Sequence, residues 1–139
     1  MSTPILVIGA TGKQGGAAIN ALLAHNKEFQ VVGLTRNTTS VKAKALTEKG
    51  VTCLEADLGN YDSLVTSLKL SKAKRAILIT DFWGAGSAKV ETQQGINFLK
   101  AVEEVDPSMF VVCKYSVLYQ LSFQLYHNRS LSDVRTTYR

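Results

Sequence analysis

Residues 5–19 read Ile-Leu-Val-Ile-Gly-Ala-Thr-Gly-Lys-Gln-Gly-Gly-Ala-Ala-Ile, and the pattern changes character at Gly9. Ile5–Ile8 is an unbroken apolar run, the mark of a strand covered on both faces. Three glycines follow at Gly9, Gly12 and Gly15, and then Ala17, Ala18, Ile19, Ala21, Leu22 and Leu23 continue as a helix. In a strand–turn–helix unit of this kind, the first glycine lets the chain leave the strand sharply. The second lets backbone approach a pyrophosphate, and the third lets helix and strand pack closely. The helix beginning near Lys13 directs free N–H groups and the positive end of its dipole at that position. Thr11 adds a hydroxyl, and Lys13 and Gln14 complete the turn. The alternative is a tight turn that holds nothing.

Working outward, the same alternation continues. Gln30–Leu34 reads as a second strand, Ser40–Lys49 as a helix stopped by Gly50, and Val51–Leu54 as a third strand. Asn60 or Asp62 caps a helix carrying Leu64, Val65, Leu68 and Leu70. Arg75–Thr80 is a fourth strand. A long helix runs from about Ala88 to Glu104, with Val90, Ile96, Leu99, Ala101 and Val102 as its apolar positions. Asp106-Pro107 ends it, and Met109–Cys113 is a fifth strand. Strands separated by helices call for right-handed parallel crossovers. The expectation is an α/β doubly wound parallel sheet of the Rossmann type, about five strands ordered 3-2-1-4-5. Residues 1–116 form this domain. From 117 onward the composition shifts to Leu, Ser, Tyr and Arg. Tyr119, Leu121, Phe123 and Leu125 alternate with polar residues, as in a short strand or an ill-packed amphipathic segment. Residues 117–139 read as an irregular, divergent tail and not as a separate domain.

The chain has 139 residues, 45% hydrophobic and 19% charged, the balance of an ordinary globular protein. Its net charge of +5 comes from scattered lysines and arginines with no basic run interleaved with aromatics, which argues against direct nucleic-acid binding. A solvated surface with a mild bias toward anionic ligands fits better. The start of the chain has no basic leader, and its apolar run is too short for a signal or a membrane span. The expected location is therefore cytoplasmic or nuclear, away from membranes. Cys53 and Cys113 each lie in an apolar strand and read as buried reduced thiols; a disulfide or redox pair is the other reading. No metal-ligand spacing is present.

Further binding positions follow from where ligands sit in such sheets, at the carboxyl ends of the strands. The second strand ends in Leu34-Thr35-Arg36-Asn37, where an NAD site usually places an acidic residue for the ribose 2′-hydroxyl. No acid occurs there. Arg36 instead offers a planar, permanently charged fork suited to a 2′-phosphate, or is an ordinary surface arginine. NADP(H) is therefore expected over NAD(H). Asp57, in Glu55-Ala56-Asp57-Leu58, either accepts from an adenine amino group or caps the following turn. Thr80-Asp81-Phe82-Trp83-Gly84-Ala85-Gly86 follows the fourth strand, either as a loop beside the nicotinamide or as an apolar plug over the sheet.

The segments GATGKQGG at 9–16, LTRN at 34–37, EADLGNYDSL at 55–64, TDFW at 80–83 and ETQQGINFLKA at 91–101 resemble the NmrA-like family, atypical relatives of the short-chain dehydrogenases. The resemblance covers roughly residues 4–116. It implies an NADP-binding Rossmann domain followed by a smaller substrate- or partner-binding region. Some members of this family are redox-sensing regulators that contact protein partners; close relatives are reductases. By position, the resemblance assigns Gly9, Thr11, Gly12, Lys13, Gln14 and Gly15 to the dinucleotide loop. Arg36, with Asn37 beside it, falls at the 2′-phosphate, Asp57 and Leu58 on the adenine side, and Thr80, Phe82 and Trp83 near the nicotinamide.

The likeness ends after Tyr115-Ser116. No Tyr-x-x-x-Lys pair occurs, the arrangement in which a lysine lowers a tyrosine's pKa for proton delivery. The shift near residue 117 reads as a truncated product, an altered splice form or a changed reading frame. These features favour a dinucleotide-binding regulator without turnover. An NADPH-dependent oxidoreductase and an inactive fragment are the alternatives.

Overall fold

The computed structural model describes residues 2–25, 28–80 and 82–114, the side chains of Phe82, Trp83 and Lys114 excepted. The tail expected at 117–139 lies outside the described residues. The elements in chain order are β1 (Thr3–Ile8), α1 (Lys13–Ala24), β2 (Phe29–Thr35), α2 (Val41–Glu48), β3 (Thr52–Glu55), α3 (Tyr61–Ser71), β4 (Arg75–Ile79), α4 (Phe82–Ala85), α5 (Ala88–Val105) and β5 (Phe110–Lys114).

The strands form a five-stranded sheet ordered β3-β2-β1-β4-β5, and every pairing is parallel. β1 is central. Ile5–Ile8 pairs with Val31–Leu34 on one side and Arg75–Leu78 on the other. Because side chains alternate across a strand, β1 feeds two cores. Leu6 and Ile8 join Val32, Leu34, Leu64, Leu68, Leu78, Phe98 and Val102 on the face covered by α3 and α5. Val7 joins Ile19, Val31, Leu46 and Val51 on the face covered by α1 and α2. A strand that serves two cores must be apolar at every position, which is why Ile5–Ile8 shows no alternation. Each of its four residues is buried.

Side-chain caps start three of the helices. Ser40 accepts from Ala43 N, Asn60 from Ser63 N and Ser87 from Val90 N. Asn60, and not Asp62, is thus the cap of α3, with Asp62 supplying negative charge in its first turn.

Two expectations change. Residues 82–85 form a single helical turn within the segment 80–86 expected as a loop or an apolar plug. Cys113, on β5 at one end of the strand order, is exposed as a residue among the described ones, although burial around its thiol pushes the pKa up. Cys53 is half-buried, its thiol 3.6 Å from Ala43 O. Both cysteines are free, and they lie on the first and last strands of the sheet order. No helix among the described residues is long and apolar enough to cross a membrane.

Candidate functional site

The order β3-β2-β1-β4-β5 reverses the direction of strand addition between β1 and β4, which opens a crevice at the carboxyl ends of these strands. The crevice has a volume of about 740 Å³. Its middle is the glycine turn. Gly9 adopts φ +75°, and a Cβ there would lie 2.7 Å from Ile79 O of β4. A side chain is excluded at this position both by backbone conformation and by the neighbouring strand. At Gly15 a Cβ would lie 1.9 Å from Gly9 O, so only glycine lets the first turn of α1 close onto the loop. Gly12 is the N-cap of α1, exposed to the cleft, with φ −80° and no side-chain cap. The first turn of α1 therefore lines the cleft with no side chain among the described residues capping its amides. The acceptor groups present at the starts of α2, α3 and α5 are missing here. A phosphate supplies what this helix end lacks, and Lys13, Gln14 and Thr11 line the same place.

At one end of the cleft, Arg36 follows β2 and is exposed, with no carboxylate partner among the described residues. Lys42, in the first turn of α2, lines the same end. Sequence reasoning missed Lys42, although its place six residues beyond Arg36, just after the Ser40 cap, was a usable signal. Asn37 does not line the cleft. Its Oδ1 accepts from Thr39 N at 2.8 Å and Thr39 Oγ1 at 2.6 Å, which closes the turn into α2. The Asn-Thr-Thr-Ser sequence carries that turn signal. Glu55 braces the same turn by accepting from Thr38 N and Oγ1.

Asp57 and Leu58 line the cleft wall after β3. Asp57 Oδ1 accepts from Gly59 N at 2.7 Å, so one carboxylate oxygen holds the turn. Leu58 is set from a distance: Asn97 Nδ2 on α5 donates to its carbonyl at 2.9 Å, and Gln93 Nε2 in turn donates to Asn97 Oδ1.

The other end is built by β4, α4 and α5. Thr80, Gly84, Ala85, Glu91 and Gln94 line it. Phe82 and Trp83 belong to the α4 turn beside it; their side chains lie outside the described residues. Glu91 is 1% exposed. Its Oε1 accepts from Thr80 Oγ1 at 2.5 Å, and its Oε2 is buried with no hydrogen-bond partner among the described residues. Of the apolar positions expected on α5, Val90, Ile96, Leu99, Ala101 and Val102, the last two are buried, together with Glu91, Gly95 and Phe98, while Val90 is exposed. An acid in the first turn of a helix ordinarily complements the dipole from solvent, so nothing in the sequence marked this one as buried.

Uncapped helix, glycine-backed turn and the 57–58 wall descend from the segments that carried the sequence resemblance, and a profile of the NmrA-like family matches residues 1–120. The chain belongs to the NmrA-like family. An NmrA-like family domain-containing oxidoreductase of Malbranchea aurantiaca is 39% identical over 64 residues, 45% of this chain and 19% of that protein. A quinone oxidoreductase of Escherichia coli, NADPH-dependent and solved with NADPH, is 27% identical with a TM-score of 0.66. That match covers 78% of this chain and 35% of that one. Triphenylmethane reductase of Citrobacter sp. shares the fold at 24% identity, with a TM-score of 0.69 over 86% of this chain and 39% of that one. The chain thus spans about a fifth of the curated relative and just over a third of each solved structure.

Proposed function

We propose that this NmrA-like chain binds NADP(H) in the 740 Å³ cleft and uses the bound dinucleotide as a redox-sensing regulatory signal. The observation that carries the binding is the pairing of an uncapped α1 with a cationic end of β2 whose own segment 34–37 carries no acid. Gly12 opens the helix amides to a pyrophosphate, and Arg36 with Lys42 offers two positive charges for a 2′-phosphate. The related quinone oxidoreductase holds NADPH, which supports the same choice of cofactor. In this reading the adenosine lies along Arg36, Asp57 and Leu58, and the nicotinamide half lies toward Thr80 and the Phe82–Trp83 turn.

Regulatory use follows if binding alone carries the signal, through a protein partner that reads the occupied state. The names of the curated and solved relatives favour a second reading, in which the cleft is the cofactor half of an NADPH-dependent oxidoreductase. There the nicotinamide supplies the hydride and this chain holds and orients it. Two assays separate them. A sensor binds NADPH and NADP⁺ with affinities differing roughly tenfold or more, a gap of about 1.4 kcal/mol, and shows no turnover. Sustained NADPH oxidation with quinones or aldehydes defeats the sensor reading in favour of the enzyme.

A further inference from the structure

The β4 end of the cleft has a polarity of its own. The Thr80 hydroxyl has one proton, and it donates it to Glu91 Oε1 at 2.5 Å. Toward the half-open cleft, Thr80 therefore presents only oxygen lone pairs. Glu91 forms part of the same wall, and its second oxygen is buried without a hydrogen-bond partner among the described residues. Buried polar atoms in folded proteins are nearly always paired, so an orphaned carboxylate oxygen in a cleft wall marks a place for a donor, and a ligand in the cleft can bring one. The burial is tolerated locally because Glu91 sits in the first turn of α5, after the Ser87 cap, where the helix dipole favours negative charge.

We propose that Thr80 and Glu91 form an acceptor-only subsite for a ligand group presenting two hydrogen-bond donors. Thr80 Oγ1 receives one donor and Glu91 Oε2 the other, while Glu91 Oε1 fixes the direction of the Thr80 hydroxyl. The inference rests on the NADP(H) reading and deepens it by orienting the ligand. Negative charge at this end turns phosphates away toward Lys13, Arg36 and Lys42. The donor group is then the nicotinamide-side ribose diol or the carboxamide NH₂, which share this chemistry.

The test is calorimetric titration of wild type, Glu91→Gln, Thr80→Val and Thr80→Ser with NADPH and with 2′,5′-ADP, a fragment that fills only the adenosine end. Glu91→Gln keeps the shape while giving the wall an N–H₂ donor. Both Glu91→Gln and Thr80→Val should weaken NADPH roughly tenfold to a hundredfold and leave 2′,5′-ADP unchanged. Thr80→Ser, which keeps the hydroxyl, should restore NADPH binding. A purely structural Glu91 would lower the melting temperature and weaken both ligands together. An unchanged NADPH to 2′,5′-ADP affinity ratio in both variants overturns the subsite. If wild type binds neither ligand, the NADP(H) reading itself fails and the subsite with it. Comparing NADP⁺ with nicotinic acid adenine dinucleotide phosphate, whose carboxylate replaces the amide, locates the donor. Weakening assigns the carboxamide, and equal binding assigns the ribose diol.

Discussion

An alanine at position 15 would place its Cβ 1.9 Å from Gly9 O and 2.7 Å from Gly9 C, both backbone atoms that cannot rotate away. One residue on, at position 16, a Cβ would meet nothing within 4 Å. Both glycines lie in the first turns of α1, so helix propensity favours alanine at each by about 1 kcal/mol. At Gly16 that gain stands alone, and Gly16→Ala should stabilise the fold by roughly 0.5–1 kcal/mol. At Gly15 the overlap forces α1 away from the turn. Overpacking of this severity belongs at the upper end of the usual range, about 3 kcal/mol. The clash wins, and Gly15→Ala should destabilise by roughly 2 kcal/mol net. At about 4 °C per kcal/mol for a chain of this size, the melting temperature should fall by roughly 8 °C in one variant and rise by 2–4 °C in its neighbour. Thermal unfolding followed by circular dichroism measures both. Gly15→Ala should also weaken dinucleotide binding, since the helix amides move with α1, whereas Gly16→Ala should not. Equal shifts of the same sign in the two variants would refute the claim that contact with Gly9 O is what requires glycine at position 15.

Other expectations follow from the same geometry. Phe98 is wholly buried between α5 and the sheet, so Phe98→Ala should cost about 3–5 kcal/mol in denaturant unfolding. Cys53 and Cys113 stand four strand spacings apart across the sheet, roughly 19 Å against a disulfide limit of about 7 Å between Cα atoms. Mild oxidation should therefore leave the two unlinked on non-reducing mass analysis. The Lys74 ammonium, 2.6 Å from Asp106 Oδ2, and Ser108 hold the Asp106 carboxyl down from 3.8 to about 2. A depressed carboxylate stabilises the fold above its unfolded pKa and loses that contribution as pH falls from about 4 through about 2. The stability gap between wild type and Asp106→Asn should thus close over that interval, and it should be small and salt-sensitive because Lys74 is exposed.

The strand order was readable because every crossover had to be parallel and right-handed, and because Ile5–Ile8 is apolar at both alternating faces, as a central strand requires. The glycine turn was readable for a local reason: backbone conformation at Gly9 and backbone contact at Gly15 admit no other residue. What escaped was decided by tertiary placement. Val90 and Glu91 are neighbours in the first turns of α5, and hydropathy assigns the valine to the core. The rotation of α5 about its axis, set by Phe98 and Ala101 against the sheet, buries the glutamate instead. Asn37 was grouped with Arg36 by adjacency, yet its amide oxygen closes a turn through Thr39. Cys113 illustrates the limit of apolar patterning at a terminal strand of the sheet, where one edge has no neighbour among the described residues.

The central claim is that the Arg36 end of the cleft selects a 2′-phosphate, and titration of the single tryptophan's fluorescence with NADPH and NADH, in wild type and in Arg36→Ala, addresses it most directly. A charge-assisted bidentate contact at the cleft rim should favour NADPH roughly tenfold or more in wild type, and Arg36→Ala should remove most of that preference while NADH affinity stays the same. Equal affinity for the two dinucleotides in wild type, or an undiminished preference in Arg36→Ala, would contradict the account.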